Sequence, residues 1–150
     1  MYSKQQASLL KQSFWTAFGK YMAPVPSADG NKINWINYKT GVKHIFFRMQ
    51  ATEINAGISI VLANPDTAIQ QADYNKLLSL RVLLEEELQE KWQWQQEIKD
   101  EYGKIYSVAS KNIVDVNVLD ESTWPAIISF LKPGIIALDN FWYHAKAYFE

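Results

Sequence analysis

The chain has 150 residues, of which 48% are hydrophobic and 14% aromatic; this suits one globular domain, residues 1–150, whose core can form without metal ions or disulfide bonds. It contains no cysteine, which excludes a disulfide framework, thiolate catalysis and zinc bound by cysteine. The start of the chain lacks the apolar run of a signal peptide, and no apolar run approaches the roughly 20 residues of a membrane span, so the sequence predicts a cytoplasmic protein without a membrane partner.

Charge is distributed unevenly along the chain, although the net charge is only -1. Residues 1–50 contain seven basic side chains and one acid, Asp29, whereas residues 51–100 contain nine acids and four basic side chains. Such a pattern is expected if the basic third binds nucleic acid or another acidic partner. It is equally expected if basic and acidic elements pack side by side and neutralise each other.

The first sixty residues predict one helix and three strands. A capping box that begins at Ser3, followed by apolar residues three and four positions apart, predicts a helix over residues 3–22. The segment 33–49, INWINYKTGVKHIFFRM, predicts two strands joined by a turn at Thr40-Gly41. Apolar and polar residues then alternate over residues 54–62, which is typical of a strand with one buried face.

The rest of the chain predicts a similar order. Asn64 and Pro65 form a helix start, and a stripe of leucines continues that helix to about residue 90. Alternation predicts three further strands, over residues 92–99, 105–110 and 114–118. A last helix begins near Ser122 or Thr123, and Pro133 is expected to kink or split it.

These elements predict an α+β fold with the order α-βββ-α-βββ-α. The sheet is expected to be largely antiparallel, with five or six strands and three helical regions. The two βββα blocks resemble each other at an offset of roughly sixty residues, with Trp35 matching Trp94 and Gly41 matching Gly103. This is a weak structural pseudo-repeat, too sparse in identical residues to indicate duplication.

Four segments carry a resemblance to a known family: YSKQQASLLKQSFWTAFGKYM, INWINYKTGVKHIFFRM, KWQW and WPAIISFLKPGIIALDNFW. Together they make the chain resemble, nearly end to end, the bacterial domain-of-unknown-function family 4268. The resemblance implies no established activity and no catalytic residues. Longer relatives are thought to join a similar domain to nuclease-like segments, so the resemblance implies some association with nucleic acids.

The strongest enzyme hypothesis is a restriction-endonuclease-like, PD-(D/E)xK nuclease derivative, either active or degenerate. The predicted order of a helix, three strands, a helix and a strand matches that core. The residues Pro65-Asp66 and Glu97-Ile98-Lys99 match the residue types of its PD-(D/E)xK motif. The context is unfavourable, because Asp66 begins a helix and the third strand has no acid. The two histidines have no ligand-spaced partner, and no cofactor, metal or catalytic residue is indicated.

The segment 33–49 and the strand after it provide the candidate interaction surface. If Phe47 belongs to the core face, then Phe46 and Arg48 point to the opposite, more polar face. That face suits a homodimer interface, the stacking of nucleic-acid bases, or contact with a loop or helix of the same chain that covers it. The candidate residues are Trp35, Tyr38, Lys39, Lys43, His44, Phe46, Arg48, Asn55 and Ser59. The sequence thus predicts a small non-enzymatic interaction module that self-associates, with a weak nucleic-acid or other acidic partner as a further expectation. The alternative function is the nuclease derivative.

Overall fold

The computed structural model describes residues 2–150 and has an α+β fold. Among these residues, four α-helices accompany a four-stranded antiparallel sheet with the strand order β1-β2-β4-β3. In chain order the elements are α1 (Lys4–Met22), β1 (Ile45–Ala51), β2 (Asn55–Leu62), α2 (Thr67–Ser79), α3 (Arg81–Leu88), β3 (Gln93–Lys99), β4 (Ile105–Val114) and α4 (Trp124–Ala145). Within this part of the chain, no helix has the length and apolar character needed to cross a membrane.

The predicted sheet of five or six strands is wrong, and the observed order is α-ββ-αα-ββ-α. Residues 23–44, which we call the strap, follow an irregular path where the first strand was expected. There Trp35 is buried and donates its indole N–H to the carbonyl of Val25 at 2.9 Å. Residues 116–118 also lack strand pairing, although Val116 and Val118 are buried. In both segments separate side chains are buried without a backbone ladder.

The prediction of three helical regions is also wrong. The expected helix over residues 64–90 is interrupted at Leu80, whose φ of -99° and ψ of 12° separate α2 from α3. Its N-cap is Asp66, which accepts from the N–H groups of Ala68 and Ile69, and not Asn64. The last helix is not split, because α4 runs without a break through Pro133. The capping box at the start of α1 is confirmed.

The hydrophobic core lies between one face of the sheet and the helices. Gly134 allows α4 to approach β2 closely, since a Cβ atom there would lie 3.1 Å from Cδ1 of Ile58. The largest fully buried side chains belong to Phe14, Phe18, Phe141, Met22, Ile45, Ile58, Ile60, Leu62, Leu77, Leu84, Ile127 and Leu131. The helices thus cover one face of the sheet and leave the other for the candidate site.

A buried polar cluster joins α2 to the sheet. The Gln70 side chain donates to the carbonyls of Asn64 and Ile105, each at 3.0 Å, and accepts from the Ser107 hydroxyl at 2.9 Å. The backbone N–H of Glu97, where φ is 52°, donates to the same hydroxyl at 3.2 Å. The irregularity in β3 between Gln95 and Ile98 is therefore tied to the core by hydrogen bonds.

Candidate functional site

The candidate site is the open face of the sheet, the face directed away from the helices. Strand register places side chains on it in rows: Phe46 opposite Val61, which is opposite Val108, and Arg48 opposite Ser59, which is opposite Ser110. A groove of about 830 Å³ runs over this face and, within residues 2–150, is lined by the strands and their flanking turns. The rows continue onto β3 through Gln95 and Gln93.

Phe46 and Arg48 form the most distinctive feature of this face. They are two residues apart on β1, so both project from the same side of the strand. The Arg48 guanidinium carbon lies 4.6 Å from the centre of the Phe46 ring, which is a cation–π contact. Phe46 remains 37% exposed. In the same row Val61 lies next to Phe46, and Val108 follows it. Val108 is buried although it lies outside the core cluster, so a small apolar row crosses the open face.

Charged groups on the groove are few and of both signs. Arg48 and Lys104 are the basic side chains that line it, and Asp100 and Glu101 are the acidic ones. The carboxylate of Asp100 accepts from the backbone N–H groups of Tyr102 and Lys104, each at 2.9 Å, and so holds the β3–β4 turn. The groove thus carries no net charge among its lining residues, and its middle is formed by short uncharged side chains.

The structure divides the predicted candidate residues among three regions. Phe46, Arg48 and Ser59 lie together on the groove of the open face. Asn55 lies at the turn of the β1–β2 hairpin, where its side chain accepts from the Thr52 hydroxyl at 2.7 Å. The others belong to the strap and do not line that groove: Trp35, Tyr38, Lys39, Lys43 and His44. His44 has a φ of 67° directly before β1.

Long-range hydrogen bonds fasten the strap to α4. Asp139, a buried carboxylate, accepts from the Ala28 N–H at 2.7 Å and from the Tyr38 hydroxyl at 2.5 Å. Trp142 donates its indole N–H to the Thr40 carbonyl at 2.7 Å. Burial raises the pKa of Tyr38, and the adjacent Asp139 carboxylate raises it further, so this hydroxyl remains a donor at neutral pH.

Sequence reasoning missed Asp139 and Trp142 as anchors. The available signal was a single acid within IIALDNFW, an otherwise strongly apolar stretch of the last helix. A buried carboxylate requires hydrogen-bond donors, so such an isolated acid indicates a partner elsewhere in the chain. The sequence does not reveal that Tyr38 and the backbone of Ala28 are those donors.

The family model described as "Domain of unknown function (DUF4268)" matches residues 10–146. The chain belongs to the DUF4268 family. The resemblance drawn from the sequence is thereby confirmed over nearly the full length. Neither the comparison with curated proteins nor the comparison with solved structures gives a match.

The residues considered for a nuclease site have other surroundings in this DUF4268 domain. Asp66 caps α2, and Glu97 lies at the irregularity of β3. The three-strand meander on which the nuclease comparison rested is replaced by a two-strand hairpin, β1–β2. Among residues 2–150, no group of three or more His, Asp or Glu side chains is arranged to hold a metal ion.

Proposed function

We propose that this DUF4268 domain is a non-enzymatic interaction module that forms a homodimer through the open face of its sheet. The observation that carries the proposal is the exposed Phe46 ring with Arg48 stacked on it, beside an apolar row on a face that the helices leave free. Arg and Phe are both enriched in protein interfaces. We place the dimer in the cytoplasm, where a chain without cysteine needs no disulfide framework.

The charges of the groove favour a second copy of the chain over a polyanion. A nucleic acid is held mainly by cations that neutralise phosphates, whereas here Arg48 and Lys104 are balanced by Asp100 and Glu101. A symmetric dimer instead uses one surface twice, so a patch that carries both signs can be complementary to itself.

The shape of the face also suits contact between two sheets. Gly57, Ser59 and Ser110 form the middle of the two inner strands and project little from the sheet. Two sheets packed face to face lie about 10 Å apart, and their side chains interdigitate. A two-fold axis near Ser59 and Ser110 would bring the same rows of both copies together, with the larger Phe46 side chains on either side of the axis.

Sedimentation velocity over a range from low to high micromolar concentration tests this proposal. We expect the wild-type chain to dimerise reversibly, and we expect Phe46→Ala to raise the dimer Kd by about tenfold or more, as truncation of an aromatic side chain that an interface buries does. The matched control is Tyr148→Ala, which removes an aromatic side chain that is 63% exposed and lies after α4. Thermal melts of both variants check that the fold is intact.

A wild-type chain that stays monomeric at high micromolar concentration would contradict the proposal. A dimer unaffected by Phe46→Ala would contradict the assignment of the open face. Fluorescence anisotropy with a labelled single-stranded oligonucleotide at low salt tests the competing partner. If it shows tight binding that the double substitution Lys43→Glu and Arg48→Glu abolishes without unfolding, the partner is a nucleic acid and not a second copy.

A further inference from the structure

A second cavity lies between the strap and the C-terminal half of α4, away from the open face of the sheet. Its volume is about 540 Å³, within the range of about 300–1,000 Å³ that is typical of small-molecule sites. None of its lining residues lines the groove of the open face. Homodimer formation through that groove therefore leaves this cavity without an assigned role.

The walls of this cavity are held in place before any ligand arrives. The hydrogen bonds from Tyr38 and Ala28 to Asp139 fix the strap to α4. The bond from the Trp142 indole to the Thr40 carbonyl fixes the strap to the same helix a second time. The Tyr38 ring also stacks on Phe47 of the core, with 5.1 Å between the ring centroids. A preformed site loses less conformational entropy when it binds a ligand.

The carboxylates of the cavity already have partners within the protein. Asp139 accepts from Tyr38 and Ala28. Asp29 accepts from the Ser27 hydroxyl and the Asn31 N–H, and these hydrogen bonds hold the pKa of Asp29 below its usual value. Both carboxylates of the cavity therefore accept hydrogen bonds from groups of the protein itself.

The cations of the cavity, Lys39 and Lys146, differ from the carboxylates in this respect. Within residues 2–150, neither Lys39 nor Lys146 forms an ion pair with a carboxylate. Lys39 and Lys146 both line the cavity where the strap meets the end of α4. The Lys146 side chain lies against Gly41, and Gly41 is two residues after Lys39 in the strap. A Cβ atom on Gly41 would lie 2.7 Å from the Lys146 Nζ atom. Glycine at this position, where φ is 76°, thus leaves room for the ammonium group.

The remaining lining groups suit a flat polar ring. Asn31, Asn34 and Asn37 supply side-chain amides. Those of Asn31 and Asn37 can donate and accept hydrogen bonds as the edges of a nucleobase do. The Asn34 oxygen already accepts from the backbone N–H groups of Ile36 and Asn37, so Asn34 offers only its NH2 group as a donor. Tyr143 lines the cavity and is 61% exposed, so its ring is available for stacking.

We propose that this cavity binds a phosphate monoester joined to a flat heterocycle, of the size of a nucleoside monophosphate. Lys39 and Lys146 neutralise the phosphate as two point charges. The asparagine amides and Tyr143 contact the ring. The site is separate from the dimer surface, so binding and self-association are independent properties.

Titration of the protein with AMP, monitored by isothermal titration calorimetry and by NMR chemical shifts, tests the proposal. We expect saturable binding with shifts confined to the strap and the end of α4. Adenosine and inorganic phosphate, which each lack one half of the ligand, should bind at least about tenfold more weakly, because each loses the contacts of one half.

Charge-removing variants locate the phosphate. The double substitution Lys39→Gln and Lys146→Gln should weaken AMP binding by about tenfold or more, since two charge-assisted contacts are lost. The matched control is Lys11→Gln, an exposed lysine of α1 outside the cavity, which should leave AMP affinity unchanged. Thermal melts confirm that both variants are folded.

Three results would overturn the proposal. The first is the absence of saturable AMP binding at millimolar concentration. The second is equal AMP affinity in the wild type and the double lysine variant. The third is inorganic phosphate binding as tightly as AMP, which would mean that the ring makes no contact. None of these results depends on whether the chain dimerises.

Discussion

Tyr38→Phe removes the hydroxyl that ties the strap to α4 while it keeps the aromatic ring. In the wild type this hydroxyl donates to the buried Asp139 carboxylate at 2.5 Å. A hydrogen bond to a charged group contributes about 1.5–3 kcal/mol. The substitution leaves that carboxylate with its bond from Ala28, at 2.7 Å. We therefore expect the free energy of unfolding to fall by about 2 kcal/mol at neutral pH, toward the lower part of that range because Tyr38 is only half-buried.

A loss of that size should lower the melting temperature by about 4–8 °C in a domain of this length, since about 1 kcal/mol corresponds to 2–4 °C. Differential scanning calorimetry and urea denaturation measure the change. The matched control is Tyr102→Phe, which removes the same hydroxyl from a side chain that is 81% exposed. If Tyr38→Phe changes the stability no more than this control does, the Tyr38–Asp139 bond does not hold the strap, and the reasoning is refuted.

Three further predictions concern stability. Because the folded chain raises the pKa of Tyr38 above the unfolded value of about 10, its contribution is complete below pH 10 and is lost as the pH rises. The wild-type free energy of unfolding, measured by urea denaturation, should therefore fall more steeply above pH 10 than that of Tyr38→Phe, by at most about 1.4 kcal/mol per pH unit and less where solvent screens the pair; parallel curves would contradict this. Ser107→Ala leaves the buried side-chain oxygen of Gln70 without its donor and should cost about 1–3 kcal/mol in urea denaturation, and an unchanged midpoint would argue against the buried cluster. Gly41→Ala, at a φ of 76°, should cost about 1–2 kcal/mol, and a stabilising effect would exclude the left-handed conformation.

The elements that the sequence predicts correctly are those whose pattern reflects local physics. The capping box of α1 satisfies backbone groups only three residues apart. The alternation of β2 correctly places Ile58, Ile60 and Leu62 in the core, because a strand turns successive side chains to opposite faces. Ile54, assigned by the same alternation to the same face, is 74% exposed because it precedes the strand in the hairpin turn.

The errors arise where distant partners determine the local conformation. Trp35 and Tyr38 lie in a segment whose aromatic and β-branched residues favour a strand, but Tyr38 bonds to a residue 101 positions later in the chain. A local window contains no information about that partner. The helix break at Leu80 likewise lies within a continuous leucine stripe that predicts one long helix.

The candidate site was partly accessible from the sequence for the same reason. Period-two alternation assigns Phe46 and Arg48 to the side opposite Phe47, and the structure places both on the open face. The strap residues were grouped with them because they are neighbours in sequence. Two of them, Tyr38 and Lys39, instead line the cavity against α4. Lys146 of that cavity is more than one hundred positions later in the chain, so no local pattern indicates it.

The measurement that tests the proposed dimer most directly is cross-linking through a single introduced cysteine, which the cysteine-free chain allows. A bis-maleimide that spans about 10 Å matches the separation of two sheets packed face to face. With Ser59→Cys, in the middle of the open face, we predict efficient formation of a covalent homodimer at concentrations where the chain dimerises. Ser13→Cys, on the exposed side of α1, should give almost none. Equal cross-linking at both positions, or none at Ser59→Cys while the chain sediments as a dimer, would contradict a dimer formed through the open face.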